Sequence, residues 1–127
     1  MLLRRPILAA ALTTALVAAS PTAAHAARCA IPESMRSSSP VVDMISTTNV
    51  RCSGARDVVR QIIRRYDSGR PIAGDLGAPQ PTFTVRVRRH GRFTCRGRYV
   101  ELNAAGDLAY ELRCRQRARV VRVRLYS

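Results

Sequence analysis

The C-terminal part of the chain alternates strictly between apolar and polar residues, and this limits its folds more than any other feature. Phe83, Val85 and Val87 are separated by Thr84 and Arg86 and followed by Arg88. Phe93 and Cys95 are interleaved with Thr94 and Arg96; Leu108, Tyr110, Leu112 and Cys114 with Ala109, Glu111, Arg113 and Arg115; Val121, Val123 and Leu125 with Arg122, Arg124 and Tyr126. A period of two over several short segments predicts antiparallel strands with one dry face and one wet face. Turns are expected at His90 and Gly91, within 103–107, and within 115–119. Beyond Gly97 the apolar positions shift to Val100 and Leu102, which predicts a β-bulge.

A dry sheet face needs a cover, and one segment supplies it. Cys52, Ala55, Val58, Val59, Ile62, Ile63 and Tyr66 follow the spacing of one helical face. A helix is expected over about 52–67, capped by Asn49 or Ser53 and stopped at Gly69. Residues 69–82 hold three Gly and three Pro and read as a loop. The chain is therefore expected to be an α+β domain: one amphipathic helix packed on an antiparallel meander of about four strands over about 83–126. The domain proper is placed at 49–127, with 27–48 as an N-terminal extended segment containing a short β-branched strand at 41–48.

Residues 1–26 read as a signal peptide. Arg4 and Arg5 precede an apolar run of about 13 residues, shorter than the roughly 20 a membrane-crossing helix needs. Ala24, His25 and Ala26 fit a small-x-small cleavage site. The paired arginines also fit a loose twin-arginine export pattern. Arg28 stands where a small residue should precede a lipidated cysteine, so no stable membrane anchor is expected, and the protein is placed outside the cell or in its envelope.

Four cysteines follow the leader: Cys29, Cys52, Cys95 and Cys114. An even number in an exported chain predicts two disulfides. The closest pair, Cys95 and Cys114, has 18 intervening residues, which is unlike the tight spacing of zinc ligands, so no metal or cofactor is expected. Of the three possible connectivities, Cys52–Cys95 with Cys29–Cys114 is preferred here. A direct Cys95–Cys114 bond between adjacent strands is the alternative, since such strands often suit disulfide geometry poorly.

The order of these residues resembles a group of small exported proteins from high-GC bacteria. The resemblance lies in Asn49, Val50 and Cys52, then Ala55, Arg56, Val58 and Val59, then Phe93 and Cys95, then Cys114, then Val121 and Val123. It covers about 49–125. Arg51 departs from the serine usual in that group, and the glycine soon after the last cysteine is missing. The resemblance implies export and a cysteine framework; the group has no established activity and lends no catalytic residue.

The chain has 22 basic and 8 acidic residues, a net charge of +14, and every basic residue is arginine. A biased genome explains arginine over lysine but not the excess of basic over acidic residues. Such a field attracts polyanions. On the strands, Arg86, Arg88, Arg113, Arg115, Arg122 and Arg124 are expected to project together from the wet face as an anion-binding surface. The plainer alternative is a solvated face of arginine-rich composition. The helix carries a second stripe, Arg56, Arg60 and Arg64, read as the outer side of the cover.

Catalysis is not expected. His90, the one histidine after the leader, lies in a turn, and the cysteines are accounted for by disulfides. A small ribonuclease using His90 with Glu101 or Glu111 is the remote alternative. The leading expectation is a secreted, non-enzymatic protein that binds envelope polymers or nucleic acid without sequence preference. A protein-binding module or inhibitor presenting the 69–82 loop is the runner-up, with no partner specified.

Overall fold

The computed structural model describes residues 3, 9–14, 25–74, 80–101, 106 and 108–126. Most of the leader expected at 1–26, residues 75–79 of the expected loop and most of the turn at 103–107 lie outside the described residues.

The elements in order are β1 (Ala26–Arg28), α1 (Glu33–Arg36), β2 (Val41–Thr48), α2 (Cys52–Asp67), β3 (Thr82–Val87), β4 (Gly91–Glu101), β5 (Leu108–Gln116) and β6 (Arg119–Tyr126). They build one antiparallel sheet of order β1-β2-β6-β5-β4-β3. The expectation of about four strands is corrected to six. Strands β3 to β6 form the predicted meander, and the alternation there identified them. The sheet then continues past β6, because β2 runs antiparallel to it and β1 adds to β2. A three-residue strand such as β1 carries no readable periodicity, and the pairing of β2 with β6 joins segments some 80 residues apart.

Every core-facing row meets the same side. Phe83 lies across from Cys95, Cys95 from Cys114, and Cys114 from Val121. Leu112 lies across from Val123, and Val123 from Ile45. Helix α2 covers this face with Ala55, Val58, Val59 and Ile62, all fully buried. Burying each of the larger aliphatic side chains contributes about 1.5–3 kcal/mol before chain entropy is subtracted. At its rim, the Arg65 guanidinium stands 4.4 Å from the centroid of the Phe83 ring, and Tyr66 meets Tyr110 edge-on.

The helix begins and ends for different reasons. Arg51, not Asn49 or Ser53, occupies the N-cap, and no side chain caps it. Asn49 is used elsewhere: at φ 57° it turns the chain from β2 into α2, and its Nδ2 donates to the Ala118 carbonyl at 3.1 Å. At the other end Gly69 takes φ 78°, and the Gly69 and Arg70 N–H groups close back on the Tyr66 and Arg65 carbonyls.

The bulge expected near Gly97 is not there. The β4–β5 register runs unbroken from Thr94–Arg115 to Glu101–Leu108, and Tyr99 keeps the core-side parity by packing on Tyr110 at 4.7 Å. Gly97 serves another purpose. The segment after α2 crosses the sheet over it, and the Gly74 N–H donates to the Gly97 carbonyl at 3.3 Å. The register shift of this sheet lies in β2, between Val42 and Met44. It brings both Val42 and Ile45, three positions apart, onto the core side.

The disulfides are Cys29–Cys52 and Cys95–Cys114, not the pairing preferred from sequence. Cys95 and Cys114 are direct cross-strand neighbours on the core face, with Cα atoms 4.0 Å apart, which leaves neither pointing at another element. The Cys29 N–H donates to the Ile45 carbonyl, holding Cys29 beside the first residue of α2, where Cys52 meets it. No described cysteine is free, and disulfides form and persist in oxidising environments. Among the described residues no helix is long and apolar enough to cross a membrane.

Candidate anion-binding face

The alternation that sends apolar side chains under α2 sends arginines to the opposite side. The register then decides which of them meet. One row across the sheet reads Thr82, Arg96, Arg113, Arg122, Ser46. Three arginines thus stand directly across from one another on β4, β5 and β6. Cross-strand neighbours have Cβ atoms about 4.5–5.5 Å apart, and like charges so placed are destabilising. The next row reads Thr84, Thr94, Arg115, Val120, Thr48. Arg96, Arg113, Arg115 and Arg122 are all exposed, and none makes an ion pair among the described residues.

The crowding leaves a mark on Arg113. Its guanidinium is held below the ordinary arginine value, first by the charge of Arg115, then by partial loss of water contact, then by the charge of Arg122. Thr82, Thr94, Arg96, Arg113, Arg115 and Arg117 line a shallow depression of about 480 Å³ on this face.

The neighbouring row behaves in the opposite way. Arg98, Glu111, Arg124 and Met44 lie in register, and Glu111 stands between two arginines. The Arg98 Nη2 donates to Glu111 Oε2 at 3.0 Å, and Arg124 Nε lies 3.7 Å from Glu111 Oε1. Asp43 adds a second carboxylate, 3.6 Å from Arg124 Nη1. Asp43 is the residue passed over at the β2 register shift, so the bulge is what supplies this counter-charge.

The six arginines expected on the wet face therefore have different surroundings. Arg113, Arg115 and Arg122 form its unpaired centre. Arg86 lies on the same face at the β3 edge, across from Arg92. Arg124 is on the face but is engaged by Glu111 and Asp43. Arg88 is in the turn after β3, lining a groove with Asp57, Arg60, Gln61 and Arg64 on the helix side. Arg96 and Arg117 were missed. The parity of Arg96 with Thr94 was enough to find it, whereas Arg117 belongs to the face only because the β5–β6 turn is tight.

The helix stripe is partly spent within the fold: Arg60 pairs with Asp57, and Arg56 reaches the Ala30 carbonyl at 3.4 Å. The residues considered for RNA cleavage do not converge. The His90 ring packs against Gly54, where an added Cβ would sit 3.1 Å from its Cε1. Arg98, the residue across from Glu111, is seven positions along β4 from Gly91, about 24 Å at ~3.4 Å per residue. Glu101 is farther along the same strand. Among the described residues no cluster of His, Cys, Asp and Glu is placed to hold a metal ion.

No protein-family model, curated protein or solved structure matches this chain.

Proposed function

We propose that this is a secreted, disulfide-locked binding protein whose Arg-covered sheet face holds anionic polymers without sequence preference. The observation that carries this is the Arg96–Arg113–Arg122 row. Three like charges are fixed side by side on rigid strands with no carboxylate among them, although the same face compensates Arg98 and Arg124 one row away. The repulsion in such a row is relieved when an anion lies over it. Export is supported by the leader composition together with two disulfides in a domain of about 100 residues.

Contacts of guanidinium with phosphate or sulfate give affinity that falls steeply with salt. The test compares two triple variants of equal charge on a heparin or DNA matrix. Arg96→Gln/Arg113→Gln/Arg122→Gln should lose more than about tenfold in affinity and flatten the salt dependence by about two to three charges. Arg56→Gln/Arg60→Gln/Arg64→Gln, on the opposite side of the molecule, should lose far less. Equal losses for the two would reduce the effect to net charge and overturn the proposal.

A further inference from the structure

Within that face, we infer a discrete phosphate subsite formed by Thr82, Thr94, Arg96, Arg113, Arg115 and Arg117, whose ligand is a phosphate polymer that need carry no bases. The inference rests on the polyanion-binding reading above and narrows it. Thr82 is the cross-strand neighbour of Arg96, and Thr94 that of Arg115. Each threonine thus stands across from an arginine, and the two pairs lie on adjacent rows. All six residues line one depression. Neither threonine hydroxyl donates a hydrogen bond and none of the four guanidiniums is paired among the described residues.

A tetrahedral phosphate matches such a set. Its oxygens can accept from two guanidinium forks and a hydroxyl at once, in the charge-assisted bonds that give planar arginine its preference for phosphate. The adjoining row cannot compete for the ligand, because Glu111 and Asp43 already occupy Arg98 and Arg124.

The backbone at Arg117 points the same way. This residue has φ 55°, in the two-residue turn between Gln116 and Arg119. Glycine adopts that conformation freely, while another residue is strained by about 1–2 kcal/mol. An arginine is held there nonetheless, on the rim of the depression.

Base recognition lacks the groups it needs. Of the six aromatic residues, Phe83, Phe93, Tyr66, Tyr99 and Tyr110 belong to the core side. Tyr126 alone lies on the outer face, at the far end of β6 across from Val41. Single-stranded nucleic acids are held by stacking on aromatic side chains, and the subsite has none.

The experiment titrates the oxidised protein with tripolyphosphate, inorganic phosphate and oligothymidylate of matched charge, followed by calorimetry and backbone chemical shifts. Thr82→Val/Thr94→Val leaves net charge untouched and should weaken tripolyphosphate by about tenfold or more, the loss of the hydroxyl's charge-assisted hydrogen bond. Shift changes should centre on Thr82, Thr94, Arg113 and Arg115, and tripolyphosphate should bind as well as the oligonucleotide. Unchanged affinity in the threonine variant overturns the subsite. An oligonucleotide preference above about tenfold overturns the base-free ligand. In either case the wider proposal survives if the triple arginine variant still loses the heparin matrix. Absence of binding to every polyanion removes both.

Discussion

Glu111 lies directly across the β5–β6 register from Arg124, with its Oε1 3.7 Å from the arginine Nε. That Nε is buried and has no hydrogen-bond partner, so Glu111 acts on it as a counter-charge and not as a hydrogen-bond acceptor. Glu111 also holds Arg98, and so separates a neutralised row from the unpaired one beside it. Glu111→Gln should free Arg98, leave Arg124 to Asp43 alone, and widen the cationic surface. Polyanion affinity is expected to rise several-fold, while stability falls by about 1 kcal/mol, since the lost pairs are only half-buried. Weaker polyanion binding by a folded Glu111→Gln protein would contradict the role of Glu111 as the counter-charge of this face.

Arg113 gives a prediction with a definite sign. A base whose pKa is lowered on folding is disfavoured in its charged form by the fold. Its charge therefore opposes folding at every pH below the folded value, and the opposition fades only as pH rises into the arginine range. Arg113→Gln should accordingly raise the melting temperature at low ionic strength. The gain should shrink between about 20 mM and 500 mM salt as the repulsion is screened. It should be the same from about pH 5 to pH 9, where arginine stays charged. The same variant should bind polyanions less well, so that stability and binding move in opposite directions. Calorimetric melting across the salt series checks this; a lower melting temperature at low salt would show that Arg113 stabilises the fold.

Much of this was legible in the sequence because it is local. The period of two fixed the parity of Arg113, Arg115 and Arg122, and the period of 3.6 gave α2 its bounds at Cys52 and Asp67. What was not legible depends on how distant segments meet. Nothing in the sequence around Asp43 says that β2 pairs with β6, or that a register shift there turns a carboxylate toward Arg124. Parity likewise put Arg88 on the wet face, but the strand ends at Val87 and the turn carries Arg88 to the helix side. The parity shift to Val100 and Leu102 suggests a bulge beyond Gly97, whereas the reason for this glycine is a chain that arrives from more than 20 residues away.

The two disulfides should differ in what they hold. In the chain-entropy picture each contributes about 3 kcal/mol, for sequence separations of 23 and 19 residues. Cys95–Cys114 joins strands already held by a continuous ladder, so its removal should lower global stability and leave local order intact. Cys29–Cys52 ties the stretch after β1 to the start of α2. Cys29→Ala/Cys52→Ala should speed hydrogen exchange at the residue 29 amide, which donates to Ile45, well before exchange rises in β4 and β5. Peptide mapping without reductant should recover Cys29 with Cys52 and Cys95 with Cys114. Recovery of Cys52 with Cys95 would overturn the assignment.

Gly97 is where the fold tolerates no side chain. A Cβ there would collide with the carbonyl oxygen of Ile72, where the segment following α2 crosses β4. Ile72 itself is buried in the core, so the crossing chain cannot lift away without exposing it. Gly97→Ala should therefore cost about 1–3 kcal/mol, the usual penalty for overpacking. For a domain of this size that lowers the melting temperature by about 4–8 °C per kcal/mol. The obstruction is a backbone atom, so trimming the Ile72 side chain cannot relieve it. Ile72→Ala should add its own loss of about 2–5 kcal/mol instead of rescuing Gly97→Ala. A double variant more stable than Gly97→Ala alone would mean that the side chain of Ile72, and not its carbonyl, demands glycine at this position.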